Sequence, residues 1–301
     1  MECVMPKFTD LKQTPKKTQL HRHTELIAEC GSNGNGDFER AKSLAHTACS
    51  CGADTIKFQL FEADKLWRKD HPRHAETLKV ETKPEWIPEL KGIVEGHRKE
   101  FLCTPFSPSA VETLEKAGVK RYKISSGDVT YKPLLEEVAK TGKPILLSVG
   151  FSTLAEIEKA IERLRPTGRC DDLTLLWCVG DYPTLPERAN YPAILDLIQE
   201  FTMKYNTGIG LSSHLKDWWL DLIPIGYNVS VIEKHFDLSD GAGVEWGHSL
   251  SPHDFAVFAQ AVRNAEKALT RYDWPASEDN ETRMLCRRDP RDWLRPERQY
   301  K

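Results

Sequence analysis

The chain alternates short apolar runs, rich in β-branched residues, with longer segments that begin at a capping residue or a proline. The short runs predict buried strands and the longer segments predict helices. The predicted strands are 25–30, 54–59, 100–105, 121–126, 143–150, 173–180, 208–213 and 229–235. The predicted helices are 37–50, 83–99, 108–117, 131–141, 153–165, 191–204, 216–225 and 252–270. The segment 60–81 is long, charged and aromatic, which is typical of a lid over a site.

Strict alternation of strands and helices predicts a parallel sheet. Eight such units that close on themselves form a (β/α)8 TIM barrel, which is an α/β fold and a single domain; a doubly wound open sheet is the alternative. Residues 25–271 are predicted to form this barrel. Residues 1–24 are polar and Lys-rich and predict an N-terminal arm or cap, and residues 272–301 predict a C-terminal tail.

The composition excludes several classes of protein. The 301 residues carry a formal net charge of -3, so no basic excess is present to bind nucleic acid. No apolar run approaches the ~20 residues that cross a membrane, and the polar N-terminus does not resemble a secretory signal. Of the eight cysteines, Cys30, Cys103 and Cys178 fall in predicted core strands. We interpret them as small buried apolar residues of a cytoplasmic protein.

Barrel active sites lie at the carboxyl ends of the strands, and the last predicted strand, VSVIEKHF, ends in three ionisable residues. Because side chains alternate along a strand, Glu233 and His235 share one face and Lys234 takes the other. His214 ends the preceding strand, and Glu245 follows the last one. Two imidazoles at neighbouring strand ends could hold a divalent metal such as Mn²⁺, Zn²⁺ or Mg²⁺. Either histidine alone is equally consistent with a polar residue at a loop start.

Strands two to five carry a second group of polar residues at the same edge. Lys57 and Lys123 lie on two of these strands, and ammonium groups with hydroxyl donors suit a phosphate dianion. A single such lysine more often extends to solvent or forms a salt bridge, but two with hydroxyls beside them predict a phosphate site. The neighbouring polar residues are Gln59, Thr104, Ser126 and Ser148.

Seven separated motifs resemble one known family. IAECGSNGNGD, GADTIKFQ, CTPFS, YKISSGD, LSVGFST, GLSSH and IEKHF, in this order, resemble the sialic acid synthases (N-acetylneuraminate synthases), which include the legionaminic and pseudaminic acid synthases. The resemblance covers about residues 25–265. It implies a TIM-barrel transferase that condenses phosphoenolpyruvate with a 2-acetamido sugar aldehyde. The products would be phosphate and a nine-carbon 2-keto-3-deoxy acid, so the expected partners are small molecules, with a homodimer as the candidate assembly.

The resemblance also implies roles for individual residues. The phosphoenolpyruvate positions are Lys57, Thr104, Lys123, Ser126 and Ser148, with Gln59 beside them. His214 and His235 match the metal ligands, with Mn²⁺ as the expected ion and Mg²⁺ or Co²⁺ as alternatives. Glu29 and Asp128 match acidic positions near the reacting carbons, although the family residue at Asp128 is commonly Glu. Tyr182, Asn33 and Glu245 are expected on the sugar side.

Five further departures from the family pattern lie on the acceptor or metal side. Gly34 stands where the family has His, Gly180 where it has Asn, and Ser213 where it has the Asp before the first metal ligand. GVEW replaces GPDH and introduces Trp246, and the appended antifreeze-like domain is expected to be absent. We therefore expect N-acetylmannosamine to be a poor acceptor, because two side chains of the mouth have shrunk and a flat aromatic surface has been added.

Two rival functions follow from the same residues. One is a metal-dependent aldolase or isomerase on the same barrel that does not use phosphoenolpyruvate. The other is a non-catalytic relative that binds sugar phosphates. Loss of the metal histidines or the phosphate lysines would mark the second rival, and all four residues are present.

Overall fold

The computed structural model describes residues 23–165 and 172–269, together with 17–18, 271–272 and 288. The chain forms two compact units, one of residues 22–266 and one that combines 1–21 with 267–301. Within the second unit, Lys17–Thr18 pairs antiparallel with Arg271–Tyr272. Most of the predicted arm and tail lies outside the described residues, so the division at 24 and 271 stays a prediction.

The first unit is built on one sheet of eight parallel strands. They are β1 Glu25–Gly31, β2 Thr55–Leu60, β3 Glu100–Pro105, β4 Tyr122–Ile124, β5 Ile145–Ser148, β6 Leu173–Cys178, β7 Gly208–Ser213 and β8 Val231–His235. The hydrogen-bonded order is β3-β2-β1-β8-β7-β6-β5-β4, and the two end strands, β3 and β4, contact each other. The predicted barrel is therefore confirmed, and β8 lies between β1 and β7.

Helices follow the strands as the pattern predicted. They are α1 Phe38–Ser50, α2 Ala63–Leu66, α3 Pro72–Lys79, α4 Ile87–Gly96, α5 Pro108–Lys116, α6 Lys132–Lys140, α7 Leu154–Leu164, α8 Ala193–Leu197, α9 Met203–Tyr205 and α10 Pro252–Ala268, with a π-helical turn Ile198–Thr202 between α8 and α9. The short 3₁₀ turns are Pro84–Trp86, Ser126–Asp128 and Pro186–Arg188. The predicted lid segment contains α2 and α3, and its motion stays a prediction.

One predicted helix differs in type. The segment after β7 is a 3₁₀ helix over Trp218–Tyr227 with Pro224 inside it. Proline has no N–H to donate and its ring clashes with the turn before it, so the α-helical pattern predicted for 216–225 is disfavoured there. The helix ends at Asn228, which takes a left-handed conformation.

The barrel interior has two layers. In the lower layer, Ile27, Leu102, Leu146, Leu176 and Val231 form a small apolar cluster, separate from the main core between the sheet and the helices. Alternation along each strand places the next inward positions two residues closer to the carboxyl ends. Four of those five positions carry polar side chains, Glu29, Thr104, Ser148 and Glu233, and the fifth is Cys178. The apolar layer is thus the floor of a polar site.

The predicted environment of the core cysteines is confirmed. Cys30, Cys103 and Cys178 are buried and free. Across the part of the chain that the structure describes, no helix combines the length and the apolar character needed to cross a membrane.

Candidate active site

A buried cluster of opposite charges lies at the carboxyl ends of β1, β2, β4 and β8. Lys57 Nζ lies 2.7 Å from Glu29 Oε2, 3.1 Å from Thr104 Oγ1 and 3.6 Å from Glu233 Oε2. Lys123 Nζ lies 3.5 Å from Glu233 Oε1, which is longer than a usual hydrogen bond. All five side chains are buried. Glu233 therefore connects the two lysines that the sequence assigned to phosphate.

The charge state of the cluster follows from burial and pairing. Burial would raise the pKa of Glu233, but Lys123 and Lys57 outweigh it and lower that pKa to about 2. Burial raises the pKa of Glu29 and outweighs the opposing effect of Lys57. Burial also lowers the pKa of Lys123, because its carboxylate partner is too distant to compensate fully. A bound anion would therefore stabilise the charged form of Lys123 more than that of Lys57.

The hydroxyl side of the site carries unsatisfied polar atoms. Ser148 Oγ is buried and has no hydrogen-bond partner within the described residues, and the same holds for Asp128 Oδ2. Burial raises the pKa of Asp128 to about 7, with Lys123 opposing the shift. An unpartnered buried oxygen costs about 1–3 kcal/mol, so a partner bound next to either atom would be stabilised by it.

The two predicted metal histidines come together on neighbouring strands. Their ring centroids are 5.2 Å apart. His214 Nδ1 donates to Val179 O at 2.7 Å, and His235 Nδ1 lies 3.0 Å from Glu245 Oε2. In both rings Nε2 is left for another partner. Burial lowers the pKa of His214 to about 2 and keeps its imidazole neutral, as metal ligation requires. The donor set fits a divalent cation.

Lys234, on the outer face of β8, fixes the loop that carries His214. Its Nζ lies 2.8 Å from Asp221 Oδ2 and donates to Leu215 O at 2.5 Å. Ser213 Oγ donates to Asp221 Oδ1 at 2.8 Å. The alternation predicted for β8 is confirmed, with Glu233 inside and Lys234 outside. Asp221 supplies a carboxylate next to Ser213, where the family pattern has Asp.

Sequence reasoning missed Glu233 as a site residue and missed His248 altogether. For Glu233 the signal was present, since alternation already placed it on the face of His235. His248 lies in the loop after β8, where no periodic pattern predicts the direction of a side chain. It is buried, and its ring centroid lies 4.5 Å from that of His235 and 6.0 Å from that of His214.

The structure places Asn33 differently from the prediction. Asn33 is fully buried, and its Nδ2 donates to Phe236 O and to Ser249 Oγ, both at 3.0 Å. Its Oδ1 accepts from Glu245 N at 2.8 Å. Its amide is thus used within the protein, where it anchors the loop after β8 and offers no free group to a sugar.

Gln59 lies beside the charge cluster, as expected. It is half-buried, and its Nε2 donates to Glu29 Oε1 at 2.6 Å. This amide helps to hold Glu29, whose other carboxylate oxygen meets Lys57.

The side of the site that is predicted to bind the sugar is lined by aromatic rings, and Gly180 does not simply widen it. Tyr182 is 56% exposed, and its ring lies 4.0 Å from that of His214. A Cβ at Gly180 would lie 1.7 Å from Phe151 Cζ, so the ring of Phe151 occupies the space expected to be free. A Cβ at Gly34 would meet Ala41 of α1 at 3.4 Å. The expected gain of room at Gly180 is therefore wrong, whereas a Cβ at Gly34 would make only an ordinary van der Waals contact and the expectation there stays a prediction.

Trp246 is half-buried, and Lys216 Nζ lies 5.3 Å from its ring centroid. A cation over the ring face is a favourable contact. The indole therefore borders the mouth with one face near an ammonium group.

A closed barrel with charged, hydroxyl and imidazole side chains gathered at its carboxyl edge defines a TIM-barrel enzyme. The comparisons with known proteins agree. The model of the NeuB family matches residues 44–273, and the chain belongs to the NeuB family. Its relatives are named as acid synthases, which are transferases that form carbon–carbon bonds.

Among its relatives, the N,N'-diacetyllegionaminic acid synthase of Campylobacter jejuni is 32% identical over 264 residues, 82% of this chain and 78% of the relative. A protein of Methanocaldococcus jannaschii described as uncharacterized is 38% identical over 247 residues, 82% of this chain and 72% of that protein. The crystal structure of the N-acetylneuraminic acid synthetase of Leptospira borgpetersenii in complex with citrate has a TM-score of 0.78 at 26% identity, covering 90% of this chain and 95% of that chain.

Proposed function

We propose that this enzyme condenses phosphoenolpyruvate with an acetamido sugar aldehyde, or a similar sugar, and releases phosphate and a 2-keto-3-deoxy acid. The observation that carries the proposal is the pair of buried lysines, Lys57 and Lys123, on inner strands at the carboxyl edge. Family membership supports the reaction class. We propose the reducing cytosol as the compartment, which the free, buried cysteines support.

The phosphate and carboxylate of phosphoenolpyruvate are proposed to bind at Lys57 and Lys123. The ammonium group of Lys123 is incompletely paired, and its pKa is lowered by burial, so a dianion would relieve its desolvation. The unpartnered Ser148 hydroxyl lies on the adjacent strand β5 and can donate to the same anion. Thr104 and Ser126 are the remaining proposed hydroxyl donors, since both are buried at the same edge.

His214 and His235 are proposed to hold a divalent metal, with Mn²⁺ as the expected ion. The metal would act as a Lewis acid that polarises the aldehyde of the acceptor. Glu245 orients the ring of His235 through Nδ1, which is the usual arrangement of a carboxylate behind a ligating histidine. Val179 O fixes the tautomer of His214 in the same way.

The proposed chemistry needs three proton transfers and one stabilised cation. C3 of phosphoenolpyruvate bonds to the aldehyde carbon, whose oxygen gains a proton. Water then adds to C2 and loses a proton. The C2 hydroxyl finally becomes the keto group as phosphate leaves with the bridging oxygen and takes the hydroxyl proton. Asp128, whose pKa is about 7, can exchange a proton near neutral pH, and Glu29 is the second candidate. The ionised carboxylate of Glu233 can stabilise positive charge that develops at C2.

The acceptor is proposed to differ from N-acetylmannosamine near the acetamido group. Phe151 occupies the space beside Gly180, where the family pattern offers an amide. Tyr182 and Trp246 add aromatic surface at the same mouth. Aromatic rings stack on the apolar face of a sugar but cannot replace the lost hydrogen bonds.

The test is phosphate release with phosphoenolpyruvate, Mn²⁺ and a panel of hexosamines and aldoses. We expect release that requires both substrates, together with a product whose mass equals the acceptor plus pyruvate. The variant Lys57→Met/Lys123→Met is the matched negative control. A metal-dependent aldolase or isomerase would convert sugars without phosphate release, and a binding protein would give no product. Either result would refute the proposed reaction.

A further inference from the structure

The geometry points to His248 as a third imidazole ligand of the metal centre formed by His214 and His235. This inference rests on the metal-binding part of the proposed function. It adds a residue from the loop after β8 that the resemblance to the family does not assign. The resulting centre would carry three histidines, with Glu245 as the carboxylate behind one of them.

The burial of His248 is the first observation. Its side chain is 8% exposed, and its Nε2 is shielded from solvent with no hydrogen-bond partner among the residues that the structure describes. A buried imidazole nitrogen without a partner is costly. This nitrogen therefore requires a partner, and either a metal ion or a bound hydroxyl would provide one.

The position of the His248 ring favours a metal ion over a bound hydroxyl as this partner. Candidate ligand atoms of His235, Glu245 and His248 all lie within 4.8 Å of one another. The centroid of His248 lies 4.5 Å from that of His235 and 6.0 Å from that of His214. His214 and His235 are each engaged at Nδ1, so both present Nε2. His214 lies outside this group of mutually close atoms, so His248 meets the proposed centre through its neighbour His235. An unengaged imidazole nitrogen at that position suits a metal ligand.

The loop that carries His248 is held in place. His248 N donates to Glu245 O at 3.1 Å, and Ser249 Oγ donates to the same oxygen at 2.7 Å. Asn33 binds both ends of this turn, through Glu245 N and Ser249 Oγ. A ring fixed in this way is pre-organised for ligation.

A third imidazole changes which metals suit the site. Zn²⁺ and Co²⁺ prefer nitrogen ligands more than Mg²⁺ does, and affinities rise from Mn²⁺ to Co²⁺. We expect Co²⁺ to bind more tightly than Mn²⁺, and Mg²⁺ to bind weakly.

The experiment measures binding of Mn²⁺ alone, without substrates, by calorimetry and pulsed electron paramagnetic resonance. In the parent protein we expect hyperfine coupling to three imidazole nitrogens. In His248→Ala we expect two, with a dissociation constant raised on the order of 100-fold or more, since even outer-shell partners typically contribute 10- to 100-fold. His253→Ala, an exposed histidine on α10, is the matched control and should keep all three nitrogens and the parental affinity.

His248→Asn separates ligation from hydrogen bonding and also replaces the alanine variant if that protein does not fold. If His248 is a metal ligand, the Asn variant should show coupling of Mn²⁺ to two imidazole nitrogens and weak Mn²⁺ binding. Parental affinity in His248→Asn, or two nitrogens already in the parent, would overturn the inference. If the parent protein releases phosphate but its Mn²⁺ couples to only two imidazole nitrogens, the proposed function stands and His248 is not a ligand. If Mn²⁺ couples to three imidazole nitrogens but no phosphate is released, His248 is a ligand and the proposed function is wrong.

Discussion

The two sides of the site are built from different parts of the chain. On the anion side, which is proposed to bind phosphoenolpyruvate, Lys57, Thr104 and Ser148 lie within strands β2, β3 and β5. On the acceptor side, Tyr182 and His248 lie in loops. Strand residues are held by the hydrogen-bonded register of the barrel, whereas loop residues depend on contacts between loops. The anion side is therefore constrained by the fold, whereas the proposed acceptor side can change without disturbing the barrel.

The departures from the family pattern follow this division. Gly180 and Trp246 lie in loops and Ser213 is the last residue of β7, while Lys57, Thr104 and Ser148 on the strands of the anion side keep the family residues. Substitutions on the two sides should therefore have different consequences. Those in the buried charge cluster should affect stability and phosphoenolpyruvate binding, and those in the loops should affect the choice of acceptor.

The largest effect is expected for Glu233→Gln. The change removes the carboxylate partner of Lys123 and one of the two near Lys57. Breaking a buried ion pair from one side typically costs about 3–5 kcal/mol, so we expect a loss of this size in urea unfolding, together with loss of activity. Glu137→Gln, in an exposed pair with Lys140, should cost less than about 1 kcal/mol. Equal stabilities of the two variants would show that the cluster does not hold the strands together.

Lys123→Met should weaken phosphoenolpyruvate binding. Loss of one contact between a charged group and the anion costs about 1.5–3 kcal/mol, or about 10- to 150-fold in apparent KM. The KM of the acceptor should change little. Lys216→Met, at the acceptor side beside Trp246, is the control and should leave the KM for phosphoenolpyruvate unchanged. If both variants shifted the two constants equally, the division into two sides would be wrong.

Asp128→Asn should stabilise the protein at high pH while lowering activity. The carboxyl has a pKa of about 7 in the folded state against 3.8 for the ordinary group, because it is buried. The folded state therefore binds the extra proton, and stability falls as the pH rises from 3.8 to about 7. With allowance for partial exposure, the Asn variant should be more stable by about 1–3 kcal/mol at pH 8.

At pH 5 the stabilisation by Asp128→Asn should be less than half as large. Urea unfolding of parent and variant at the two pH values measures the difference. The exposed Asp196 provides a control, Asp196→Asn, which should show no such dependence. A variant less stable than the parent at pH 8 would contradict the assigned charge state.

The smallest effect concerns the acceptor. We expect N-acetylmannosamine to react with kcat/KM below ~10⁴ M⁻¹s⁻¹, the lower end of the usual enzymatic range. The double variant Phe151→Ala/Gly180→Asn removes the ring that fills the space at position 180 and restores the amide. We expect it to raise this kcat/KM about tenfold, which corresponds to about 1.4 kcal/mol.

Gly180→Asn alone is the control for the acceptor prediction. Its side chain would overlap the ring of Phe151, so the single variant should lose activity. Efficient turnover of N-acetylmannosamine by the parent would show that other residues replace the lost amide.

The local sequence pattern was sufficient to predict the barrel and to place the two buried lysines on its strands. The eight strands and their helices are encoded in local hydrophobic patterns, which depend on near neighbours in the chain. Alternation along a strand also placed Glu233 inside and Lys234 outside, because a strand's two faces follow directly from its residue order. Once the strands are parallel and adjacent, residues at their carboxyl ends meet without further information.

Only the tertiary structure decided the direction of the loop residues. Asn33 was expected to contact a sugar, yet it anchors the turn that carries His248. Phe151 fills the space beside Gly180, about thirty residues away in sequence. These contacts join segments that are distant in the chain, and no periodic pattern encodes the path of a loop. The buried charge cluster also depends on tertiary structure, because its pKa values are set by the position of β8 beside β1, two strands from β2 and opposite β4.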